Sequence, residues 1–214
     1  MPRVASRGPG RPPAAKADET RKRIVRAARQ VFSERGYDGA TFQAIAMRAD
    51  LTRPAINHYF ASKRLLYTEV ADRTNDLVVL AGIERSRRET TLMARMATFI
   101  TVAMEVDSQN PSTAAFLATA VLESQRHPEL RRDENDAVRM TRDWLIWAVR
   151  EAIDSGELAP GVDTDSLAES LLLMLCGVGF YAGFVGSYQE VENIIDTLRR
   201  LIGGRLWSPE PHRQ

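Results

Sequence analysis

The stretch from Leu51 to Leu66, LTRPAINHYFASKRLL, decides the fold. Thr52 is a good helix N-cap, and Pro54 in the first turn costs little, because the N–H it lacks has no partner inside a helix. Ala55, Ile56, Tyr59 and Phe60 form the inward side of that helix. Arg53 and Asn57, four residues apart, project from one outward face with His58 beside them. A helix that sends arginine, asparagine and histidine outward is built to meet something other than its own core. Ser62 caps the next helix, which runs through Leu65, Leu66, Val70 and Leu77.

Working back from this stretch, Asp50 and Leu51 read as a turn, and Thr41 caps a second short helix that places Phe42, Ile45, Ala46 and Ala49 on one face. Before it, from about Thr20, residues Ile24, Ala27, Ala28, Val31 and Phe32 fall at the spacing of an amphipathic helix. Gly36 ends that helix and Tyr37 supplies the apolar contact that follows a C-cap. Three helices, the last two short and joined by a tight turn, predict a helix-turn-helix.

The charge distribution points the same way. The net charge of the 214 residues is only +1. Up to Asn75, however, fifteen Lys/Arg stand against seven Asp/Glu, and beyond it fourteen stand against twenty-one. A basic first third joined to an acidic remainder marks a module for an anionic partner attached to something else. The one cysteine, Cys176, excludes an internal disulfide and reads, among its apolar neighbours, as a buried small hydrophobe in a reducing compartment. The opening MPRVASRGPGRPPAAKAD has charge but no apolar core, unlike a secretory signal. The apolar run LLLMLCGVGFYAGFV, Leu171 to Val185, is shorter than the roughly 20 residues of a membrane helix and reads as a buried helix, so no membrane partner is expected.

Beyond residue 80 the pattern is helical throughout. Met93, Met96, Ala97, Ile100 and Met104 form one stripe, and Phe116, Ala120 and Val121 form the next, ended by RHPEL. A long helix from about Glu129 carries Ala137, Met140, Thr141, Trp144 and Ala148, with Trp147 adjacent. After DSGELAPGVD come the apolar helix from Leu167 and a last stripe of Val191, Ile194, Ile195, Leu198, Leu201 and Ile202. The fold class is therefore all-α. The expected domains are a flexible basic arm over 1–18, a three-helix DNA-binding domain over 19–66, a helical domain over 67–205 and a C-terminal tail over 206–214.

The segment IVRAARQVFSERGYDGATFQAIAMRADLTRPAINHYFASKRLLYTEV resembles the DNA-binding domain of the tetracycline-repressor (TetR) family. It carries that family's A-x-x-x-F-x-x-x-G-Y helix end, its T-x-x-x-I-A in the second helix and its F-x-S-K-x-x-L after the third. Two positions depart from the family pattern: Asp50 stands where the turn commonly has glycine, and Asn57 replaces the usual mid-helix aromatic. Operator sequence cannot therefore be borrowed from relatives. The resemblance implies a transcriptional regulator with a C-terminal domain for effector binding and dimerisation.

In such a protein the third helix enters the major groove. Arginine pairs with guanine O6 and N7, and asparagine with adenine N6 and N7, which makes Arg53 and Asn57 the specificity residues. Thr41, Gln43, Thr52, Pro54, His58, Tyr59 and Lys63 complete the expected contact set, most of it to phosphates, which position without reading sequence. Arg7 and Arg11 in RGPGRPP suit a narrow A·T-rich minor groove or add non-specific affinity. Met96, Ile100, Met104 and Phe116, with Met140, Trp144, Trp147 and Tyr181, are candidates to line a cavity for an apolar or aromatic small molecule. Leu171, Leu175, Val178, Ile194, Ile195, Leu198, Leu201 and Ile202 are the expected homodimer interface, with Gly177, Gly179 and Gly183 allowing close helix approach.

No catalytic residue, cofactor or metal site is expected. Asp133, Glu134 and Asp136 suit a helix start, and the three histidines show no ligand spacing. GVGFYAG lacks the preceding strand of a nucleotide loop. The expected protein is a cytoplasmic repressor that binds a palindromic operator on double-stranded DNA as a homodimer and is released by its effector. An architectural DNA binder without effector, or less simply an all-helical enzyme, are the alternatives.

Overall fold

A computed structural model describes residues 13–110, 112–131, 136–186 and 188–202, and every regular element among them is helical. The chain divides into two compact units, one ending at Val70 and the other beginning at Ala71. Arg7, Arg11, Asp133 and Glu134 and the tail over 206–214 lie outside the described residues, as do the side chains of Leu201 and Ile202.

The first unit holds α1 (Pro13–Gly39), α2 (Phe42–Arg48), α3 (Arg53–Tyr59) and the start of α4 (Lys63–Asn75). Helix α1 starts at Pro13, ahead of the expected Thr20 and inside the segment read as the arm. The reason is local. Proline suits a first helical position, the alanines after it are the best helix formers, and Asp18 and Lys22 form an i,i+4 pair at 2.7 Å. The helix breaks at Gly36, whose φ of 68° is left-handed. Tyr37 beyond the break packs on Phe32 and meets Tyr67 edge-on at 5.2 Å, as the C-cap reading requires.

Thr41 Oγ accepts from the Ala44 N–H at 3.1 Å and Thr52 Oγ from the Ala55 N–H at 3.4 Å, so both expected caps form. Asp50 turns the chain between α2 and α3 at φ 51°. The core of the unit is Ile24, Ala28, Val31, Phe32, Ile45, Ala46, Ile56, Phe60, Leu66 and Val70, with Leu65 half exposed. Arg21 binds Glu69 through two hydrogen bonds, donates to the Tyr59 carbonyl at 3.4 Å and lies 4.5 Å over the Phe60 ring. Arg48 clasps Glu34 with bonds of 2.7 and 2.8 Å, which holds the Glu34 carboxyl below the usual carboxylate range.

In the second unit, α4 passes through a π turn at Asp76–Leu80 into α5 (Ala81–Ser86). There follow α6 (Leu92–Gln109), α7 (Thr113–Arg126), α8 (Ala137–Asp154), α9 (Thr164–Phe184) and α10 (Tyr188–Ile202). Helix α8 starts at Ala137, later than the expected Glu129. Pro128 instead opens a short 3-10 turn, and Asp136 caps α8 by accepting from the Val138 and Arg139 N–H groups. The core joins Leu92, Met96 and Phe99 of α6 to Trp144, Leu145, Ala148, Val149 and Ala152 of α8 and to Ala168, Leu171 and Leu172 of α9. Phe99 stacks on Trp144 with 4.9 Å between ring centres.

Helix α9 corrects two expectations. It is apolar all round, and by length and composition alone would cross a membrane, yet it is not buried all round. Leu173 is 75% exposed, Phe180 54% and Phe184 51%, and Cys176 beside them is exposed, where a buried thiol was expected. Gly177 and Gly179 face open space, so of these three α9 glycines Gly183 alone marks a close approach within the chain. A Cβ at Gly183 would stand 2.7 Å from the Ala115 amide nitrogen and 2.8 Å from its Cα, in the backbone of α7. We expect G183A to destabilise the unit by about 1–3 kcal/mol through this overlap. G179A, in a helix interior with nothing to meet, should be neutral or stabilising by up to ~1 kcal/mol. Thermal melts of the two variants check this; equal Tm values contradict it.

Candidate functional site

Among the expected DNA contacts, Arg53, Asn57 and Gln43 are exposed, and none has a hydrogen bond or ion pair within the chain among the described residues. Arg53 and Asn57 share one exposed strip of α3, next to the line of Ile56, which is fully buried. Pro54 and His58 are also exposed, while Tyr59 is half buried with its ring against His58. The capping threonines are exposed too. Each uses a lone pair to cap its helix and keeps its O–H free to donate outward. A phosphate oxygen on that side can therefore be bound without undoing the cap.

Lys63 is placed differently. Its ammonium donates to the Tyr37 carbonyl at 2.7 Å and to the Asp38 carbonyl at 3.3 Å, and lies 4.4 Å over the Tyr37 ring. A lysine in the first turn of a helix opposes the dipole of that helix, and here the carbonyls freed beyond Gly36 offset the penalty. Lys63 thus ties the end of α1 to the start of α4. We expect K63M to lower the stability of this unit by about 1–2 kcal/mol, from a charge-assisted hydrogen bond and a partly exposed cation–π contact. Denaturant unfolding measures it, and an unchanged midpoint would remove Lys63 from the fold's supports.

Sequence reasoning missed Arg21 and Arg48. Arg21 meets Glu69 across 48 positions and Arg48 meets Glu34 across 14, separations that no local pattern reports. It also missed Met47, 74% exposed on α2 and four residues beyond Gln43.

In the second unit the candidate cavity residues separate. Met96 and Ile100 line an apolar recess with Met93, Ala97, Met174, Val178, Ile195 and Leu198. Its volume is about 30 Å³, room for one or two waters. Phe116 and Trp144 are core side chains, 1% and 3% exposed. Met104, Met140 and Tyr181 are half buried and do not line the recess. Trp147 carries two guanidinium groups on its ring, Arg95 at 4.6 Å and Arg87 at 5.5 Å.

The expected dimer residues also move. Leu171 is core, and Val178, Ile195 and Leu198 seal the recess within one chain, because α10 folds back on α6 and α9. Leu175 and Ile194 are half buried. On α9 the exposed stripe is Leu173, Cys176, Phe180 and Phe184, about half a turn from Leu171, Leu175 and Val178.

A three-helix unit with an exposed, polar third helix, followed by a larger helical unit, defines a helix-turn-helix DNA-binding regulator. Residues 24–70 match the family model described as bacterial regulatory proteins, tetR family, and residues 92–198 match the tetracyclin repressor-like C-terminal domain. The chain belongs to the TetR family of transcriptional regulators, which are not enzymes. It is 29% identical over 189 residues to the transcriptional regulator SrpR of Pseudomonas putida, covering 85% of this chain and 83% of that one. The regulator PfmR of Thermus thermophilus superposes with a TM-score of 0.69 at 20% identity, over 87% of this chain and all of that one. FadR of Bacillus subtilis, solved with stearoyl-CoA, gives 0.69 at 19% identity, over 86% and 98%.

Proposed function

We propose that this regulator is a cytoplasmic repressor that binds a palindromic operator as a homodimer and leaves it when a small apolar or aromatic molecule occupies the second unit. The observation that carries the reading is the outward face of α3, where Arg53 and Asn57 are exposed without intramolecular partners. Each can make a bidentate contact to a purine edge. Thr41, Thr52 and the His58–Tyr59 edge supply phosphate contacts, and Lys63 acts first by fixing α4 against α1. A protein with one DNA-reading unit and one sensor most simply acts by obstructing polymerase.

Dimerisation is supported by the stripe of Leu173, Phe180 and Phe184. Large contiguous apolar surface left outside is matched in an isologous pair by the same surface of a second copy. The open Gly177 and Gly179 let the partner helix approach closely. The effector reading rests on family membership and on adaptable Met93, Met96 and Met174 around a recess too small for an effector as it stands, since ligand pockets run to roughly 300–1,000 Å³. Binding must therefore open the helices. A conformer so opened and misspaced for grooves roughly 34–36 Å apart couples effector and DNA affinity reciprocally. Footprinting tests the DNA half of this reading: two protected half-sites one helical turn apart, with two chains per duplex, are expected, and a single unpaired footprint at saturation contradicts it.

A further inference from the structure

Two buried N–H donors sit without acceptors on the seam between α6 and α8. Arg95, 7% exposed, donates through Nε to the Glu89 carbonyl at 3.1 Å, while its Nη1 is buried and unbonded. Trp144, 3% exposed, has its Nε1 buried and unbonded. The two occupy adjacent rungs. Arg95 lies over Trp147, and Phe99, one turn along α6, stacks on Trp144, one turn back along α8. No ion pair joins Arg95 to a carboxylate among the described residues. Among the described residues the cation is offset by a carbonyl and an indole face, and Arg87 adds a second positive charge on the same ring.

A buried guanidinium is ordinarily paired, and a buried donor ordinarily bonded. Here one charged and one neutral donor, on adjacent rungs of the seam, are unanswered. The ligand chemistry that answers both is an oxygen anion on an apolar or aromatic body. Of the two cations only Arg95 is buried, Arg87 being exposed, so the interior of the seam matches a monoanion, and a dianionic phosphate would leave net negative charge inside it. We propose that the effector is an apolar or aromatic carboxylate, whose carboxylate is bound by Arg95 Nη1 and Trp144 Nε1 when the α6/α8 seam opens. This rests on the reading of the second unit as a sensor and adds the class of molecule sensed.

The test uses the full-length protein on its selected operator duplex. Benzoate, phenylacetate and decanoate are compared with their methyl esters and with decyl phosphate, reading operator release, indole fluorescence and Tm. The expected result is release and a raised Tm with at least one acid, at least tenfold weaker response to its ester and to the phosphate, and loss of that preference in R95M. W144F removes the N–H together with part of a buried indole, so its ligand-free Tm should fall, and the acid's affinity should fall several-fold further than that of its methyl ester, which the N–H does not select. Esters as effective as acids, decyl phosphate more effective than decanoate, or an acid preference surviving in R95M would each overturn the proposal while leaving the sensor reading intact. Silence of every acid on an intact operator complex overturns it as well, the donors then being satisfied by a buried water. Failure of operator binding itself would instead strike the DNA-binding reading.

Discussion

Phe180→Asp, with Leu173→Asp as its companion, is expected to turn the protein into monomers at micromolar concentration and to weaken operator binding by two orders of magnitude or more. Both side chains lie on the exposed stripe of α9, at 54% and 75% exposure, so neither substitution opens a cavity in the chain's own core. Burying one phenylalanine contributes about 1.5–3 kcal/mol, and an isologous interface loses it twice. The aspartates add two unpaired charges in desolvated surface. A loss of about 4 kcal/mol or more raises the dimer Kd roughly a thousandfold. Light scattering measures the oligomeric state, and circular dichroism confirms that the fold is kept. A variant that stays dimeric would show that the stripe is not the interface.

Arg53→Ala and Asn57→Ala carry the second large effect. Each should cost about 1–3 kcal/mol of discrimination at one base pair of each half-site, relaxing the preference there while random DNA loses much less. Removing a phosphate contact instead lowers specific and random affinity together and reduces the salt slope by about one. Competition binding against singly substituted operators measures the difference. Parallel loss on specific and random duplexes from both alanines would reduce Arg53 and Asn57 to backbone contacts.

What the sequence made legible follows from the range of the interactions involved. The caps at Thr41 and Thr52, the break at Gly36 and the turn at Asp50 are contacts among near neighbours, so residue type and spacing report them. The outward side of α3 was readable because its inward side holds a buried Ile56 and Phe60 at helical spacing. Helix α9 was not readable in the same way. With apolar residues on every side, periodicity cannot choose a face, and Leu171 and Leu173 look alike until the fold buries one and exposes the other. The same limit hid Lys63, whose partners are the Tyr37 and Asp38 carbonyls rather than a side chain. It also hid the α6/α8 seam, where the partners of Arg95 and Trp144 depend on how two helices distant in sequence pack.

Stability and recognition are separable on the first unit. Lys63, Arg21 and Arg48 tie helices together, whereas Arg53, Asn57 and Gln43 are left outside by the packing. Substitutions in the first group should move unfolding midpoints, and those in the second should leave them unchanged while altering DNA binding.

The most direct test of the central claim is selection of binding sites from a random duplex library by the purified full-length protein at near-physiological salt. The expected result is recovery of an inverted repeat whose half-sites are centred one helical turn apart, with purines placed for Arg53 and Asn57. Recovery of A·T-rich sequence without symmetry would contradict it and assign the binding to backbone and groove shape instead.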